Sequence, residues 1–437
     1  MYRIVLSLLA VLTLTGCGAG TWLGEAEDPP LPGQRISIMS MQSSLEPDPD
    51  IRARDFEVPS IWENQFWPQE GGYPDHAMRH LSLSGLTNGL TAVWEQDIGT
   101  GAGDARKLTT SPVVVDNMVY AMDSQSKISA YGIDTGDRIW RVDAASMEER
   151  GYAPPGGLAF GDGYLFVTSG YGRLIALDPM TGQRIWMAGL GAPARAAPTI
   201  KNGRVFVLTL TNQLIAFDAQ SGEKLWQYDG LISDTRLFGA PSPAVNGNRL
   251  IAAFSNGRVI AFRAENGQQI WQDNLAGFQQ IGQENTLSDI RALPVIDDGL
   301  VFTITNAGRM AATDLATGRR IWDREMSGIQ TPWVVGQYVF VVTEDHELVA
   351  LLKETGGIRW VSDLPELDKT EDRWLSPRLA DGRLLVAGTN GDLLTINPAS
   401  GGIDQRLSLT KTMAVPPVIA QDSMFTLGRN ARLTRFK

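Results

Sequence analysis

A recurring eleven-residue motif, its spacing and a chain of short alternating segments predict an all-β fold. The expected architecture is an eight-bladed β-propeller of four-stranded blades, its ring closed by an N-terminal strand that completes the last blade. The motif is Ala-x-Asp-x-x-Thr-Gly-x-x-x-Trp. Its clearest copy runs from Ala176 through Asp178, Thr181 and Gly182 to Trp186. Two more are Ala216/Asp218/Ser221/Gly222/Trp226 and Ala312/Asp314/Thr317/Gly318/Trp322. Three lack the Asp: Ala130/Thr135/Gly136/Trp140, Ala261/Asn266/Gly267/Trp271 and Ala350/Thr355/Gly356/Trp360. A seventh keeps Asn397, Ser400 and Gly401 but has Gln405 in place of Trp. Successive motif glycines lie 46, 40, 45, 51, 38 and 45 residues apart, which suits one four-stranded blade per repeat.

Taken in chain order, residues 1–16 read as a lipoprotein signal peptide. Met1-Tyr2-Arg3 gives a positive start, and Ile4 to Leu14 is an apolar run of 11 residues interrupted by Ser7 and Thr13. A bilayer span needs about 20 residues, so this run fits an export signal instead. It ends in Leu14-Thr15-Gly16-Cys17, which resembles a bacterial lipobox. The resemblance implies a diacylglycerol on the Cys17 thiol and an acylated Cys17 amine after cleavage. Two or more acyl chains hold a protein stably on a membrane at about 0.8 kcal/mol per buried methylene. Gly18 stands where this lipoprotein class uses Asp for retention in the inner membrane, which favours the outer membrane. Cys17 is the single cysteine, so no disulfide framework or Cys-based metal site is expected.

Residues 17–60 are expected to be a lipid-anchored flexible linker. The stretch carries Glu27-Asp28-Pro29-Pro30 and Glu46-Pro47-Asp48-Pro49-Asp50, too polar to bury a core. As a coil it would reach roughly 35–40 Å. Residues 61–90 then turn aromatic and Gly-rich (Trp62, Phe66, Trp67, Gly71, Gly72, Tyr73), which reads as an irregular segment packed on the main domain.

Residues 91–437 form the propeller. In one blade, Ala197 to Ile200 is a short inner strand, and Asn202-Gly203 is a turn that supplies positive φ. Arg204 to Leu210 and Gln213 to Phe217 alternate as the middle strands. Asp218 to Gly222 is the next turn, where the Asp side chain accepts backbone N–H groups. Glu223 to Gln227 is the outer strand and carries Trp226. Such a Trp docks between its own blade and the next. Its burial contributes about 4–6 kcal/mol as an upper bound. Residues repeated once per blade are spread round a ring and do not converge on one ligand. Strand pairs begin near Asn117, Gly163, Gly203, Asn248, Gly299, Gln337, Gly382 and Asp422, which makes eight. The last, Met424 to Phe436, lacks an outer strand, and Thr91 to Glu95 is an outer strand without a blade. Pairing the two closes the ring.

The charge balance, 38 basic against 49 acidic residues, gives −11 and speaks against a nucleic-acid partner. Catalytic signals are thin. His76 and His80 lie four apart, but Gly71-Gly72 and Pro74 just before them argue for a loop rather than a metal-binding helix. His346 reads as a solvated turn. No nucleophile elbow or phosphate loop is present.

The repeat resembles that of the quinoprotein dehydrogenases, eight-bladed propellers that hold pyrroloquinoline quinone. It is similar also to that of the BamB family, the propeller lipoproteins of the outer-membrane β-barrel assembly machinery. The enzymes use adjacent cysteines beside the quinone and long insertions, and this chain has neither. The lipobox and tether match the assembly lipoproteins. That resemblance implies a non-enzymatic scaffold with no cofactor and no metal, acting in the periplasm. A quinone-dependent dehydrogenase and a ligand-binding propeller are the alternatives.

The resemblance also implies a surface. In the family, loops between central blades contact a polypeptide-transport-associated (POTRA) domain of the barrel-forming subunit. Unfolded outer-membrane proteins are a second candidate partner. The first family motif has a counterpart in Arg236-Leu237-Phe238-Gly239 before Pro241. The second has one in Leu287-Ser288-Asp289-Ile290-Arg291 before Pro294. The expected partner-binding residues are Arg236, Leu237, Gly239, Leu287, Asp289 and Arg291. Arg291 stands where the family has Asp, and Arg236 is displaced by two positions from the family Arg.

Overall fold

In the computed structural model, which describes residues 45–103, 107–144, 155–194, 196–231, 241–276 and 289–437, each repeat folds into one four-stranded antiparallel sheet. There are eight such blades, numbered here from the sheet that opens with Val113–Val115. In blades 1 to 7 the strands follow chain order from the axis outward. Blade 8 takes its outer strand, Ala92–Asp97, from the N-terminal side. That strand pairs antiparallel with Arg432–Phe436, as the sequence predicts. Thr91 and Lys437 exchange both backbone hydrogen bonds at 3.0 Å where the ends meet.

The motif now has a physical explanation. Its Ala lies directly across the strand pair from its Trp, as in Ala216↔Trp226 and Ala312↔Trp322, and the small side chain leaves room for the indole. Its Asp closes the turn: Asp218 Oδ1 accepts from the backbone N–H of Gln220 and Ser221 and from the Ser221 hydroxyl. Its Gly lies under the Trp of the preceding blade. Gly356, at φ +66°, has the Trp322 ring where a Cβ would stand. The Trp322 Nε1–H also donates to Lys353 O of the next blade at 2.8 Å. The same bond leaves Trp94, Trp140, Trp186, Trp226, Trp271 and Trp360 for the following blade.

Seven of the eight junctions are therefore built alike, and the seventh repeat explains the eighth. Gln405 stands opposite Thr395 at the Trp position of blade 7. A Trp there would face the last turn of blade 8, which does not exist as a turn because the two chain ends meet at that point. The junction that lacks the Trp is the one that lacks the glycine turn to receive it.

Residues 45–60, expected to be linker, lie instead against blade 6. Asp48 N donates to Ile358 O at 2.8 Å, and a one-turn helix, Pro49–Arg52, buries Ile51. Arg359 donates to Ile51 O and Arg54 O, and Phe56 stacks on Tyr338 with centroids 4.5 Å apart. The apolar Ile51 and Phe56 overrode the polar average of the stretch. Residues 1–44, including Cys17, lie outside the described residues.

The irregular segment that follows makes one circuit of the axis. Asn64 bonds Ile419 and Gln421 of blade 8. Trp67 exchanges both backbone bonds with Val114 of blade 1, at 2.7 and 3.0 Å. Pro68 O accepts from Phe160 of blade 2, and the Gln69 amide pairs with Ile200 of blade 3. Pro74 O accepts from Val245 of blade 4, and Asp75 O from Ile296 of blade 5. Arg79 O accepts from the Trp333 indole of blade 6, and Leu81 pairs with Leu379 and Asp381 of blade 7. The innermost strand of each sheet turns an unpaired edge to the axis, and such backbone groups demand partners once buried. This segment supplies them. It sits at the end of the ring where first and second strands turn, as Ser82 on Asp422, His80 on Gly382 and Thr87 on Asp381 show.

Candidate functional site

The connections that lead from one blade's outer strand into the next blade's inner strand run at the opposite end of the ring from that segment. Both expected partner loops fall in sequence between an outer strand and the next inner strand. Arg236, Leu237, Gly239 and Leu287 lie outside the described residues, as does Arg195 before blade 3. Asp289 and Arg291 are described. They sit in the approach to the inner strand Val295–Asp297, with buried Ile290 and Ala292 alternating between and beyond them.

Asp289, expected as a charged contact, is 2% exposed. Its backbone carbonyl also accepts from Asn306 N at 3.4 Å. A buried acid of this kind shapes the loop more than it touches a partner. Arg291 is half-buried. Burial lowers its guanidinium below its ordinary value first, and the like charge of Arg373 second; Asp289 and Glu344 oppose both. The structure thus gathers Asp289 and Arg291 of blade 5 with Glu344 of blade 6 and Arg373 before blade 7. Hydrogen bonds stiffen the same face: Leu293 N donates to Thr331 Oγ1, Thr331 N to Ser376 Oγ, and Ser376 Oγ to Gln330 Oε1. Glu344, Arg373 and Thr331 carry no repeat signature, so sequence reasoning had no signal for them.

The axis holds a second polar group that sequence reasoning missed. Glu70 extends from the circling segment to Ser242, whose hydroxyl lies 3.2 Å from its carboxylate and also donates to Ala197 O. Burial pushes the Glu70 carboxyl up to about 7, against the opposing pull of Ser242, Ala197 and Arg378. Arg378, at the start of the blade 7 inner strand, lies between the Trp67 and Trp333 rings at 5.4 and 5.1 Å. Burial brings its guanidinium down to about 9, with Glu70 opposing.

Both histidines of the segment serve the fold. His76 Nδ1–H donates to Pro294 O at 2.7 Å, and burial drops the ring to about 4. His80 Nδ1–H donates to Pro59 O while its Nε2 accepts from Gly382 N. Among the described residues no group of His, Cys, Asp and Glu is arranged to hold a metal ion.

These two buried groups give the stability a specific pH dependence. Between about 4.5 and 7 folded Glu70 keeps a proton that the unfolded chain has released, so stability falls as pH rises through that window. Between 6.5 and about 4 folded His76 refuses a proton that the unfolded chain binds, so stability falls as pH drops. Glu70→Gln removes the first effect. It is expected to stabilise the protein by about 1–3 kcal/mol more at pH 8 than at pH 5, read from urea midpoints. An equal gain at both pH values would show that Glu70 titrates as in water.

Comparison with known proteins follows the same lines. The family model described as outer membrane protein assembly factor BamB matches residues 124–362. The chain is 30% identical over 315 residues to outer membrane protein assembly factor BamB of Salmonella typhimurium, covering 71% of this chain and 79% of the relative. The crystal structure of BamB from Moraxella catarrhalis superposes with a TM-score of 0.68 at 20% identity, covering 80% of this chain and 99% of that one. The quinohemoprotein alcohol dehydrogenase of Comamonas testosteroni superposes at 0.65 with 14% identity, over 89% of this chain and 82% of that one. At such identities the two structures speak for the fold alone.

Proposed function

The chain belongs to the family of outer membrane protein assembly factor BamB, and on that premise we propose a non-enzymatic scaffold that assists assembly of β-barrel proteins into the outer membrane. The observation that carries this reading is the family match. It runs from blade 1 through blade 6 and includes both candidate loops, Arg236–Gly239 and Leu287–Arg291. The propeller works from the periplasmic side. Cys17 carries the lipid that confines it there, and the partner is the barrel-forming subunit, engaged through a POTRA domain. Unfolded outer-membrane proteins are candidate clients at the same surface.

A rigid ring suits this task. Its inter-blade contacts hold equivalent loops side by side, so segments about 50 residues apart in sequence present one face. Anchors on that face then bind with little ordering cost. Capture of the full chain from detergent-solubilised envelope is expected to bring down the barrel-forming subunit. Failure to recover it, together with quinone-dependent dye reduction by the purified protein, would replace the scaffold by an enzyme.

The anchor has its own test. Cys17→Ala is expected to move the protein from the membrane to the soluble fraction in cells lacking the partner, with an unchanged urea midpoint. Retention of the Cys17→Ala protein on carbonate-washed membranes would refute the lipid as the anchor.

A further inference from the structure

The axial mouth at the first-turn end of the ring is built to receive a polypeptide. Five inner strands point a backbone N–H or a carbonyl–amide pair at it from Val114, Phe160, Ile200, Val245 and Ile296, and blades 6, 7 and 8 complete the circle through Trp333, Leu379 and Ile419. Residues 64–81 satisfy all eight in ring order. Trp67, Met78 and Leu81 go almost wholly out of solvent in doing so, at 1%, 1% and 0% exposure. The contacts are not interchangeable between blades: backbone pairs serve blades 1 and 7, a Gln amide serves blade 3, and the Arg79 carbonyl accepts from the indole of blade 6. The path is also shaped to its seat. Gly72, at φ +97°, turns where the Met78 thioether already fills the place of a Cβ.

We infer that this mouth is a peptide-binding site whose resident ligand is the chain's own segment 62–82, and that its occupancy locks the eight blades into one closed ring. Strand pairing closes the ring at a single place, between Ala92–Asp97 and Arg432–Phe436. The segment instead ties each blade to a common centre, so a blade that tilts outward must break a bond at the axis. It binds the complete ring best, since a ring missing or displacing one blade leaves part of its circuit unmatched. The occupied mouth is closed to any other extended peptide, which leaves the opposite face for partners.

The test uses the full chain with a protease site inserted after Gly89, an exposed position with open space around it. Before cutting, and directly after, amide exchange in the inner strands is expected to be slow and alike. Diluting the cut protein releases the segment and speeds exchange at Val114, Val245, Ile296 and Gln421 together by at least tenfold. Adding synthetic peptide 58–84 restores the slow rates. Release without faster exchange, or failure of the peptide to restore it, overturns the inference. Should the insertion prevent folding, Gly72→Val in the uncut chain serves instead. Faster exchange in blades 1, 7 and 8 as well as near the substitution supports the lock; a change confined to blades 3, 4 and 5 overturns it.

Discussion

Trp322→Ala is expected to destabilise the propeller by about 3–5 kcal/mol, the cost of a large-to-small change at a buried aromatic site. Three losses combine. The indole, 8% exposed, leaves a cavity between blades 5 and 6. Lys353 O loses the N–H that reached it at 2.8 Å. The Phe302 ring, 6.1 Å away, loses its neighbour. Trp322→Phe should cost less, keeping much of the apolar surface while dropping the hydrogen bond, worth about 1 kcal/mol. His346→Ala, at an exposed turn, should stay within about 0.5 kcal/mol of the parent. Urea midpoints decide among these, and equal midpoints for the Trp and His variants would refute burial at the junction. A coupled variant sharpens the test. Gly356→Ala puts a methyl group where the Trp322 ring lies and strains a positive φ. In the Trp322→Ala background the cavity accepts that methyl, so the two costs should sum to less than their separate values.

The second large effect concerns the partner. Leu237→Glu combined with Arg291→Glu is expected to weaken capture of the barrel-forming subunit at least tenfold, since losing one interface anchor costs about 2 kcal/mol or more. Arg291 is the better charged position to change than Asp289. It is half-buried and shares its surroundings with Arg373 and Glu344, whereas Asp289 is 2% exposed. Reversing a buried acid would damage the loop and mimic a lost contact. Asp289→Asn is therefore the control for loop integrity, judged by its urea midpoint. Capture undiminished in a folded Leu237/Arg291 variant would place the binding surface elsewhere on the ring.

Most of the fold was legible because the motif encodes contacts that are local or repeat once per blade. Ala opposite Trp, Asp closing a turn and Gly beneath the preceding blade's indole each lie at a fixed offset, so seven imperfect copies suffice to expose them. The closing strand was legible by counting, since Thr91 to Glu95 had no blade and Met424 to Phe436 had no outer strand. Even the missing Trp at Gln405 was visible; only the meeting of the chain ends at blade 8 explains it.

The candidate partner loops were expected from family resemblance alone. The burial of Asp289 was not legible, because a loop carries no period from which to read which side faces inward. The linker boundary failed for a related reason. Composition averages over a stretch, while Ile51 and Phe56 act as individual anchors whose seats lie about 300 residues away on blade 6.

By itself, then, the sequence determined the repeat, the number of blades, the way the ring closes and the residue types at each junction. Tertiary structure alone decided what the segment from Asn64 to Leu81 does. Its partners are eight inner strands spread from Val114 to Ile419, reached mainly through backbone groups that every residue possesses. Backbone hydrogen bonding leaves no signature in side-chain pattern, so a segment built on it stays unreadable until the ring that supplies its partners has closed.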